Sequence, residues 1–450
     1  MCSLVVSMTK IPQKPPDLKK LVGNLDPQRL EVLMSSRRED DPYWHWDELR
    51  RRKPPDGLTV EEWWLQQKIL RGGNRRTLPF TDVDGVSFGF TVPDEASSLL
   101  HEIDQLAAGR VVAPDEIVSD STRDRYLVSS LMEEAISSSL LEGAATTRQE
   151  AKQLLRSGRE PMTKAERMVV NNYRTMNLIR QDLDQPLTIE MVLDMHRTVT
   201  EGTLENPDDA GRLQDETDER VVVGHAYEDV VYHRPPPAAW LPKRLSALVE
   251  FANTTGSKPF LHPVIRAIAL HFWLAYDHPF VDGNGRTARA LFYRSMLRQG
   301  YWLTEFLSIS RLLYQAPAQY ERSFLFVESD EADLTYFLLH QLRVIRRSID
   351  ELYDYLGQRA EEIRGLERQL GRSGRFNMRQ LALLAHALKR PDAIYTFQTH
   401  QNSHGVVYET ARRDLLDLEA LGLLERGQVG REFRFFPARD LGERIMSLKS

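Results

Sequence analysis

The chain has 450 residues, of which 41% are hydrophobic and 28% are charged, and its formal net charge at pH 7 is −6. This is the composition of an ordinary globular protein, and the length predicts about three domains. The acidic balance gives no support to a nucleic-acid binder that is basic over its whole length. Because Cys2 is the only cysteine, one chain cannot form a disulfide framework or a cysteine-based zinc site.

The amino terminus shows neither a secretion signal nor a membrane anchor. Its first sixteen residues hold two lysines and three prolines, and Val5 and Val6 make too short an apolar core for a signal peptide. Elsewhere no stretch approaches the ~18 consecutive apolar residues of a membrane-spanning helix. We therefore expect a soluble, cytoplasmic protein.

The first part of the chain predicts a disordered lead-in over 1–25 and a small α+β region over 26–115. Four of the seven tryptophans lie at positions 44, 46, 63 and 64, and clustered aromatic side chains indicate a small hydrophobic core. Residues 81–90 predict a β-hairpin that turns at Asp84-Gly85.

The pattern of the next two hundred residues is mostly helical. A capping box at 163–166 and a cap at Thr188 each predict the start of a helix. Pro263 opens an apolar helix that ends before His278, because the residue ahead of a proline disfavours helical backbone. Another helix is expected over 286–298.

The most informative segment reads HPFVDGNGRTAR over residues 278–289, here called the motif segment. Its DGNG stretch favours a tight turn, and the two glycines permit positive φ and close approach of a ligand to the backbone. The turn delivers its N–H groups to the start of the following helix, where free amides and the helix dipole form an anion-binding nest. The segment therefore predicts a phosphate site.

Four side chains of the motif segment add chemistry to this nest. Arg286 and Arg289 are nearly one helical turn apart, and two guanidinium groups on one face suit a polyphosphate. Asp282 can hold Mg²⁺, which binds through one or two carboxylates together with phosphates. His278 belongs to the residue type whose pKa suits it to take a hydroxyl proton near neutrality. A plain glycine turn is the alternative, but it has no structural need for this combination.

The motif segment resembles the signature of the Fic family, H-P-F-x-D/E-G-N-G-R-x-x-R, and matches it at every defined position. The resemblance covers roughly residues 125–310, and we place the domain at 116–330. It implies a mainly α fold, with a Fic helical core and a β-hairpin flap. Fic proteins typically move AMP from ATP to a Tyr, Thr or Ser hydroxyl of a target protein, and the resemblance implies ATP and Mg²⁺ as substrate and cofactor.

The resemblance also implies a role for each matched residue. His278 deprotonates the target hydroxyl, Asp282 holds the Mg²⁺ that bridges the phosphates, and Phe280 packs inward to fix the loop. The nucleotide-binding residues are Gly283, Asn284, Gly285, Arg286 and Arg289. Gly285 distinguishes this chain from the kinase-like Doc branch, where a lysine takes its place and the γ-phosphate is transferred. With glycine there, transfer of the adenylyl group is expected.

Residues 138–143 read SSLLEG at the end of a predicted helix near 125–145. Taken alone, Glu142 would be a surface carboxylate. In this family context, Ser138 and Glu142 resemble the Fic inhibitory motif, S/T-x-x-x-E-G/N, whose glutamate pairs with the second arginine of the active site, here Arg289. We therefore expect a self-inhibited enzyme of the class with an N-terminal inhibitory helix.

Residues 220–234 predict two short β-runs and resemble the Fic flap, a hairpin whose edge registers the target segment by strand addition. Tyr232, His233 and Arg234 are the expected target clamp. An ordinary surface hairpin is the alternative. A metal site at the flap histidines is not expected, because nothing nearby completes a ligand set.

A linking helix is expected over 331–370 and a separate domain over 376–450, here called the C-terminal domain. Its predicted order of three helices and a hairpin is that of a winged-helix domain. Arg412 and Arg413 could meet DNA phosphates, but a net charge of about +2 is weak for DNA binding. Protein docking or self-association is at least as good an interpretation. The long helix from Asp333 could serve a homodimer, but packing within one chain explains this helix equally well.

Three hypotheses of function remain. The first is a self-inhibited protein adenylyltransferase that acts on a protein hydroxyl, its own included. The second is a DNA-binding transcriptional regulator with a nucleotide-sensing Fic domain, although sensing phosphate needs no base at His278. The third is a Fic enzyme that removes AMP from targets or uses another nucleotide donor.

Overall fold

The computed structural model describes residues 10–23, 25, 27–35, 41–108, 120–220, 223–224, 231–254, 256, 259–370, 375–429 and 432–448. Over these residues the fold is mainly α-helical, as predicted, with three two-stranded antiparallel sheets. None of the described helices is both long and apolar enough to cross a membrane.

The α-helices of the described residues follow one another along the chain with few strands between them. In order they are α1 Leu18–Gly23, α2 Pro27–Ser35, α3 Trp46–Leu49, α4 Val60–Gly72, α5 Asp94–Ile103, α6 Asp120–Leu141, α7 Arg148–Ser157, α8 Lys164–Leu178, α9 Ile189–Thr200, α10 Leu241–Asn253, α11 Pro263–Asp277, α12 Asn284–Arg298, α13 Ile309–Gln315, α14 Pro317–Ser329, α15 Thr335–Leu370, α16 Met378–Lys389, α17 Phe397–His404, α18 Tyr408–Ala420 and α19 Leu441–Ser447. Helix α1 lies within the segment that the sequence predicts to be a disordered lead-in.

The strands form three hairpins: β1 Arg76–Thr81 with β2 Ser87–Phe90, β3 Val223–Gly224 with β4 Val231–His233, and β5 Leu424–Val429 with β6 Glu432–Pro437. The first differs from the prediction, which placed both strands within 81–90. The sequence does not predict β1 because it contains Pro79, and proline cannot donate a hydrogen bond to a neighbouring strand. In a two-stranded sheet both strands are edges, where proline is tolerated.

Helix starts follow the capping signals closely. The backbone N–H of Glu166 donates to the Thr163 hydroxyl at 3.1 Å, and the Thr163 N–H donates to the Glu166 carboxylate at 3.3 Å. Thr188 caps α9 by accepting from the Met191 N–H. Each hydroxyl satisfies an N–H that the helix itself leaves unpaired.

The chain divides into two compact units that cut across the predicted domains. The first comprises Met1–Gln105, Leu178–Tyr301 and Leu312–Arg346, and the second comprises Leu106–Asn177, Trp302–Arg311 and Arg347–Ser450. Helices α6 and α7, which the prediction assigned to the Fic domain, therefore group with the C-terminal domain. Sequence spacing gives no sign of this grouping.

In the first unit, α11 is the central helix and is buried on nearly every side. It packs on α12 and α10, and its sequence is apolar all round, as a fully surrounded helix requires. Trp273 stacks on Phe80 of β1 with ring centroids 4.3 Å apart. The clustered tryptophans form a satellite core, in which Trp63 and Trp64 are almost fully buried. This confirms the predicted small aromatic core.

In the second unit, α17 packs on α6 and α7. The side-chain N–H of Asn402 donates to the carbonyl of Arg156 at 2.8 Å. The C-terminal domain has the element order that the sequence predicts, with three helices followed by the β5–β6 hairpin. Tyr395 adds an isolated bridge to Phe435 of β6. Residues 371–374, between the predicted linking helix and this domain, lie outside the described residues.

Candidate active site

His278 lies at the junction between the carboxyl end of α11 and the loop that leads to α12. Its N–H donates to the carbonyl of Leu274 at 3.1 Å, and its backbone is left-handed, with φ 46° and ψ 55°. This conformation is uncommon for a residue other than glycine and marks a position held by its surroundings. The predicted end of the helix before His278 is confirmed.

The half-buried ring of His278 is held in its neutral form. Burial lowers its pKa to about 4, and the nearby positive charges of His233 and Arg220 act in the same direction. A hydrogen bond to the backbone of Ala275 partly opposes them. A bond that raises the pKa is one in which the ring is the donor, so a ring N–H of His278 donates to the carbonyl oxygen of Ala275. The other ring nitrogen remains available to accept a proton.

Arg220 donates hydrogen bonds to the carbonyl groups at the carboxyl end of α11. The sequence does not reveal this role. Its guanidinium donates to the carbonyl of Asp277 at 2.6 Å and to the carbonyl of His278 at 2.8 Å. A cation at this end of a helix interacts favourably with the helix dipole. Arg220 therefore fixes the backbone that carries His278.

Asn284 closes the loop of the motif segment through its side chain. The Asn284 Oδ1 accepts the N–H of Phe280 at 2.9 Å, and its Nδ2 donates to the carbonyl of Phe280 at 2.7 Å. The sequence assigned Asn284 to phosphate oxygens, but here both ends of its amide hold the loop. Phe280 is fully buried, as predicted, and its ring stacks on His196 with centroids 3.8 Å apart.

His196 on α9 is a supporting residue that the sequence analysis missed. Its Nδ1 accepts the N–H of Gly211 at 2.9 Å, so Nε2 carries the hydrogen and donates to the carbonyl of Asp282 at 2.8 Å. Burial lowers the pKa of His196 to about 4, which keeps this tautomer neutral. No sequence signal marks it, because a lone histidine on an amphipathic helix is most simply a core residue.

The turn before α12 depends on Gly283, whose φ is 84°. A Cβ at this position would lie 2.6 Å from the Cγ2 of Thr200 on α9, so the loop and α9 approach too closely for a side chain. Helix α12 begins at Asn284, two residues before the predicted start. Gly285 is thus helical, and of the two glycines that permit a positive φ, only Gly283 adopts one.

The start of α12 leaves a cluster of backbone donors. The first helix hydrogen bond runs from the N–H of Thr287 to the carbonyl of Gly283 at 3.0 Å. The N–H groups of residues 284–286 therefore have no helical acceptor. These donors and the positive end of the helix dipole are the features on which the predicted anion site depends.

Asp282 and Arg286 differ greatly in exposure. The Asp282 side chain is 46% exposed, and its Oδ1 accepts from the N–H of Gly283 at 2.5 Å and from Arg286 at 3.4 Å. Arg286 is 1% exposed and donates to the carbonyl of Val199 at 3.1 Å. Its guanidinium therefore ties the loop to α9, whereas the sequence assigned it to the triphosphate. Arg289 is also buried.

Residues 186–296 match the model of the Fic/DOC family, and this range contains His278, the loop that follows it, and helices α11 and α12. The segment is a Fic domain. It lies within the first compact unit.

Curated relatives of this Fic domain are protein adenylyltransferases. "Protein adenylyltransferase Fic" from Nematostella vectensis is 32% identical over 117 residues, which are 26% of this chain and 24% of that protein. The Caenorhabditis elegans protein adenylyltransferase fic-1 is 31% identical over 125 residues, 28% of this chain and 22% of that protein. The chain thus spans about a quarter of the length of the curated relatives that it matches.

The fold of the Fic domain and its surroundings also occurs in a solved structure. A Fic family protein from Desulfovibrio desulfuricans is similar with a TM-score of 0.50 and 19% sequence identity. The match covers 78% of this chain and 98% of that chain. At this identity the likeness concerns the fold alone.

The flap of the Fic domain is only partly described. Strands β3 and β4 form an antiparallel pair, as the sequence predicts, while residues 221, 222 and 225–230 and the side chain of Tyr232 lie outside the described residues. Arg234 is exposed, but the His233 side chain is only 11% exposed. His233 binds Glu328 and the carbonyl of Tyr276. This corrects its predicted role as a target clamp, because its ring faces the interior.

Ser138 and Glu142 lie at the carboxyl end of α6 in the second unit. Ser138 is buried and Glu142 is half-buried. Gly143 follows with φ 81°, the left-handed conformation that commonly ends a helix. Upstream on α6, the buried Glu134 accepts the N–H of Ser310 at 3.0 Å. Glu134 therefore fixes α6 within its unit, and the sequence analysis missed it.

Proposed function

We propose that the chain is a protein adenylyltransferase, which transfers AMP from ATP to a Tyr, Thr or Ser hydroxyl of a protein and is inhibited by its own Glu142. The observation that carries this proposal is the position and charge of His278. It is a neutral imidazole separated by one short loop, residues 279–283, from the free amides of α12. A base next to a phosphate-binding helix end is the arrangement that phosphoryl-group chemistry on a hydroxyl needs.

In the proposed step the target hydroxyl oxygen attacks the α-phosphorus of ATP. A new O–P bond forms while the bond from the α-phosphorus to the oxygen that bridges it to the β-phosphorus breaks. Pyrophosphate leaves with the electron pair of that bond. The hydroxyl proton passes to the ring nitrogen of His278 that makes no bond to Ala275, so the ring becomes an imidazolium.

The donors of α12 support phosphate binding. The N–H groups of residues 284–286 and the guanidinium of Arg289 provide neutral and charged donors for phosphate oxygens. The deeply buried Arg286 acts mainly by holding Asp282 and the loop.

Asp282 fits a Mg²⁺ ion that enters with the nucleotide. Its exposed carboxylate has one oxygen, Oδ2, with no hydrogen bond to a described residue. The described residues contain no cluster of three or more His, Cys, Asp or Glu side chains that could hold a metal alone. Mg²⁺ characteristically takes one or two protein carboxylates and obtains its remaining ligands from phosphates and water. When bound, the ion would neutralise charge on the phosphates.

The choice of the adenylyl group as the transferred group rests on Gly285. In the kinase-like Doc branch of the family a lysine stands here, and the γ-phosphate is transferred. Gly285 lies in the first turn of α12, where it adds no charge that would hold the nucleotide in the reversed orientation.

We assign the inhibition to Glu142, following the family's inhibitory motif, whose glutamate excludes the productive pose of ATP. Two features of α6 support this assignment. Ser138 is buried within the motif, and the helix is held in its unit by the hydrogen bond from the N–H of Ser310 to Glu134.

For the C-terminal domain the charge distribution favours contact with protein over contact with DNA. Arg412 pairs with Glu409, Arg426 with Glu419 and Arg434 with Glu432. Arginines with glutamate partners contribute less to phosphate binding. Val407 and Tyr408, at the start of α18, are 68% and 49% exposed. Exposed apolar side chains of this kind suit a protein partner.

The base assignment is tested with purified protein that carries Glu142→Gly, with and without His278→Ala. Loss of a general base typically costs ~10²–10⁴-fold in rate, so AMP incorporation is expected to fall by about this factor while ATP still binds. His101→Ala serves as the control, because His101 is exposed on α5. Undiminished labelling by the His278→Ala protein removes His278 from the role of base.

A further inference from the structure

His233, on the outgoing strand of the flap, has both ring nitrogens bonded to acceptors. Its Nδ1 lies 2.8 Å from a carboxylate oxygen of Glu328 on α14, and its Nε2 lies 2.9 Å from the carbonyl oxygen of Tyr276 on α11. Neither oxygen can donate a hydrogen, so both ring nitrogens must carry one. His233 is therefore a positively charged imidazolium in this geometry.

The surroundings of His233 stabilise this positive charge. Burial lowers the pKa of His233, but the Glu328 carboxylate and the carbonyl of Tyr276 outweigh burial, and the pKa is raised overall. Asp277 acts in the same direction. The ring also packs edge-on against the ring of Tyr276, with centroids 4.8 Å apart.

Together with Arg220, His233 places two cations on the last carbonyl groups of α11. His233 takes the carbonyl of Tyr276, and Arg220 takes those of Asp277 and His278. The negative end of a helix dipole ordinarily favours a protonated histidine. Here Arg220 and His233 already compensate the negative end of α11. Their two positive charges disfavour a third positive charge on His278.

His233 also joins two parts of the site mechanically. Its backbone belongs to β4, the flap strand that pairs with β3. Its side chain is fixed to the end of the helix that carries the base. Movement of this strand away from α11 and α14 would break both hydrogen bonds of a buried charge, which is costly.

We propose that the His233–Glu328 pair is a positioning device of the transfer reaction, which locks the outgoing flap strand to the end of α11 and thereby sets both the target edge and the protonation of His278. His233 touches neither nucleotide nor target and is not a catalytic residue. The inference rests on the proposed adenylyl transfer for its kinetic consequences, but not for its structural ones.

The kinetic test uses His233→Gln and Glu328→Gln in the Glu142→Gly protein. Each change removes the positive charge of His233 near neutral pH. The first deletes the imidazole ring, and the second removes the carboxylate that keeps the ring protonated. The acid limb of kcat/KM for AMP transfer is expected to move up by about one pH unit, the size of effect that a nearby charge produces. KM for the protein target is expected to rise as well. A loss of rate with an unmoved acid limb overturns the proposal.

The matched control is His262→Gln, at the opposite end of the same helix. His262 caps the start of α11, and its Nε2 lies 3.0 Å from a carboxylate oxygen of Asp104. It is thus another histidine–carboxylate pair on α11. Its loss is expected to leave the acid limb in place.

A second readout needs no enzymatic activity. In protein with isotopically labelled histidine rings, NMR titration is expected to show His233 as an imidazolium while His278 is still neutral, and His278 titrating at higher pH in Glu328→Gln. An ordinary titration of His233, or an unchanged His278 in the variant, contradicts the proposal even if transfer occurs. If these shifts are seen but no AMP is ever transferred, the proposed function fails and the positioning pair stands.

Discussion

Asn284 holds the backbone of Phe280 from both sides, accepting its N–H at 2.9 Å and donating to its carbonyl at 2.7 Å. Asn284, the first residue of α12, thus determines the shape of the loop between His278 and α12. The two backbone groups are buried with Phe280. Because they are buried, loss of the amide would leave both groups without a hydrogen-bond partner.

Replacement of Asn284 by alanine is expected to lower both stability and transfer. Each orphaned buried backbone group costs roughly 1–3 kcal/mol, and the loop no longer presents Asp282 and His278 in one geometry. Asn253→Ala is the control, because Asn253 holds the backbone of Leu187 in the same two-sided way, at 2.8 Å and 2.7 Å, outside the loop. Urea unfolding should show a similar cost for both variants, with a large loss of AMP transfer in Asn284→Ala alone. Equal transfer rates would contradict the assigned role.

Gly283→Ala is expected to disrupt nucleotide binding through a steric effect. The positive φ costs about 1–2 kcal/mol for any residue with a Cβ, and the new carbon would lie 2.6 Å from the Cγ2 of Thr200. Gly300→Ala separates the two effects, because Gly300 has φ 87° and its added Cβ meets nothing within 4 Å. Calorimetric ATP titration should show weakened binding only for Gly283→Ala. Tight binding by that variant would mean that the loop does not have to pack on α9.

His196 is expected to make the first unit sensitive to acid. Its pKa is lowered to about 4 from a usual value of 6.5. Between these pH values the unfolded chain binds a proton that the native state refuses, so stability falls as the pH drops through this window. The contribution at pH 5 is at most about 2 kcal/mol. His196→Phe, which retains a ring to stack on Phe280, should flatten the dependence of the unfolding free energy on pH between 7 and 5. An unchanged slope would show that His196 titrates normally.

Asp414 on α18 is expected to hold the C-terminal domain together. It is 1% exposed and accepts from Arg379 at 2.6 Å, from Asn377 at 2.8 Å and from His400 at 3.2 Å. Removing one partner of a buried ion pair costs about 3–5 kcal/mol, so Asp414→Ala should unfold this domain at much lower urea concentration. The control is Asp417→Ala, at an exposed position one turn later. Equal midpoints for the two variants would argue against the network.

The sequence predicted the local backbone geometry of the candidate site better than the side-chain contacts that hold it. The motif segment is a local string, and its helix-end geometry follows from proline, glycine and helix dipole alone. Asn284 was assigned to phosphate because an amide can serve either a ligand or the backbone, and spacing does not distinguish the two. Arg220 and His196 act through the fold from distant positions and carry no local signal.

Two further differences between the prediction and the structure also arise from contacts between residues that are distant in sequence. His233 reads as an exposed polar residue of a hairpin, but Glu328 lies 95 positions away in sequence, and only the fold brings a carboxylate to it. The sequence predicts that α6 is part of the Fic domain, whereas its contacts group it with the C-terminal domain. Patterns along one segment predict helices well, but they do not predict which surfaces those helices share.

The central claim is tested most directly by giving the Glu142→Gly protein ATP labelled at the α-phosphate or, in a parallel sample, at the γ-phosphate, with Mg²⁺, and measuring label and intact mass. We expect protein-bound label from the α position only, with the added mass of one AMP on the protein itself or on a target from a lysate, and far less label with the wild-type chain. Label from the γ position, or no α-label with or without Glu142, would contradict it.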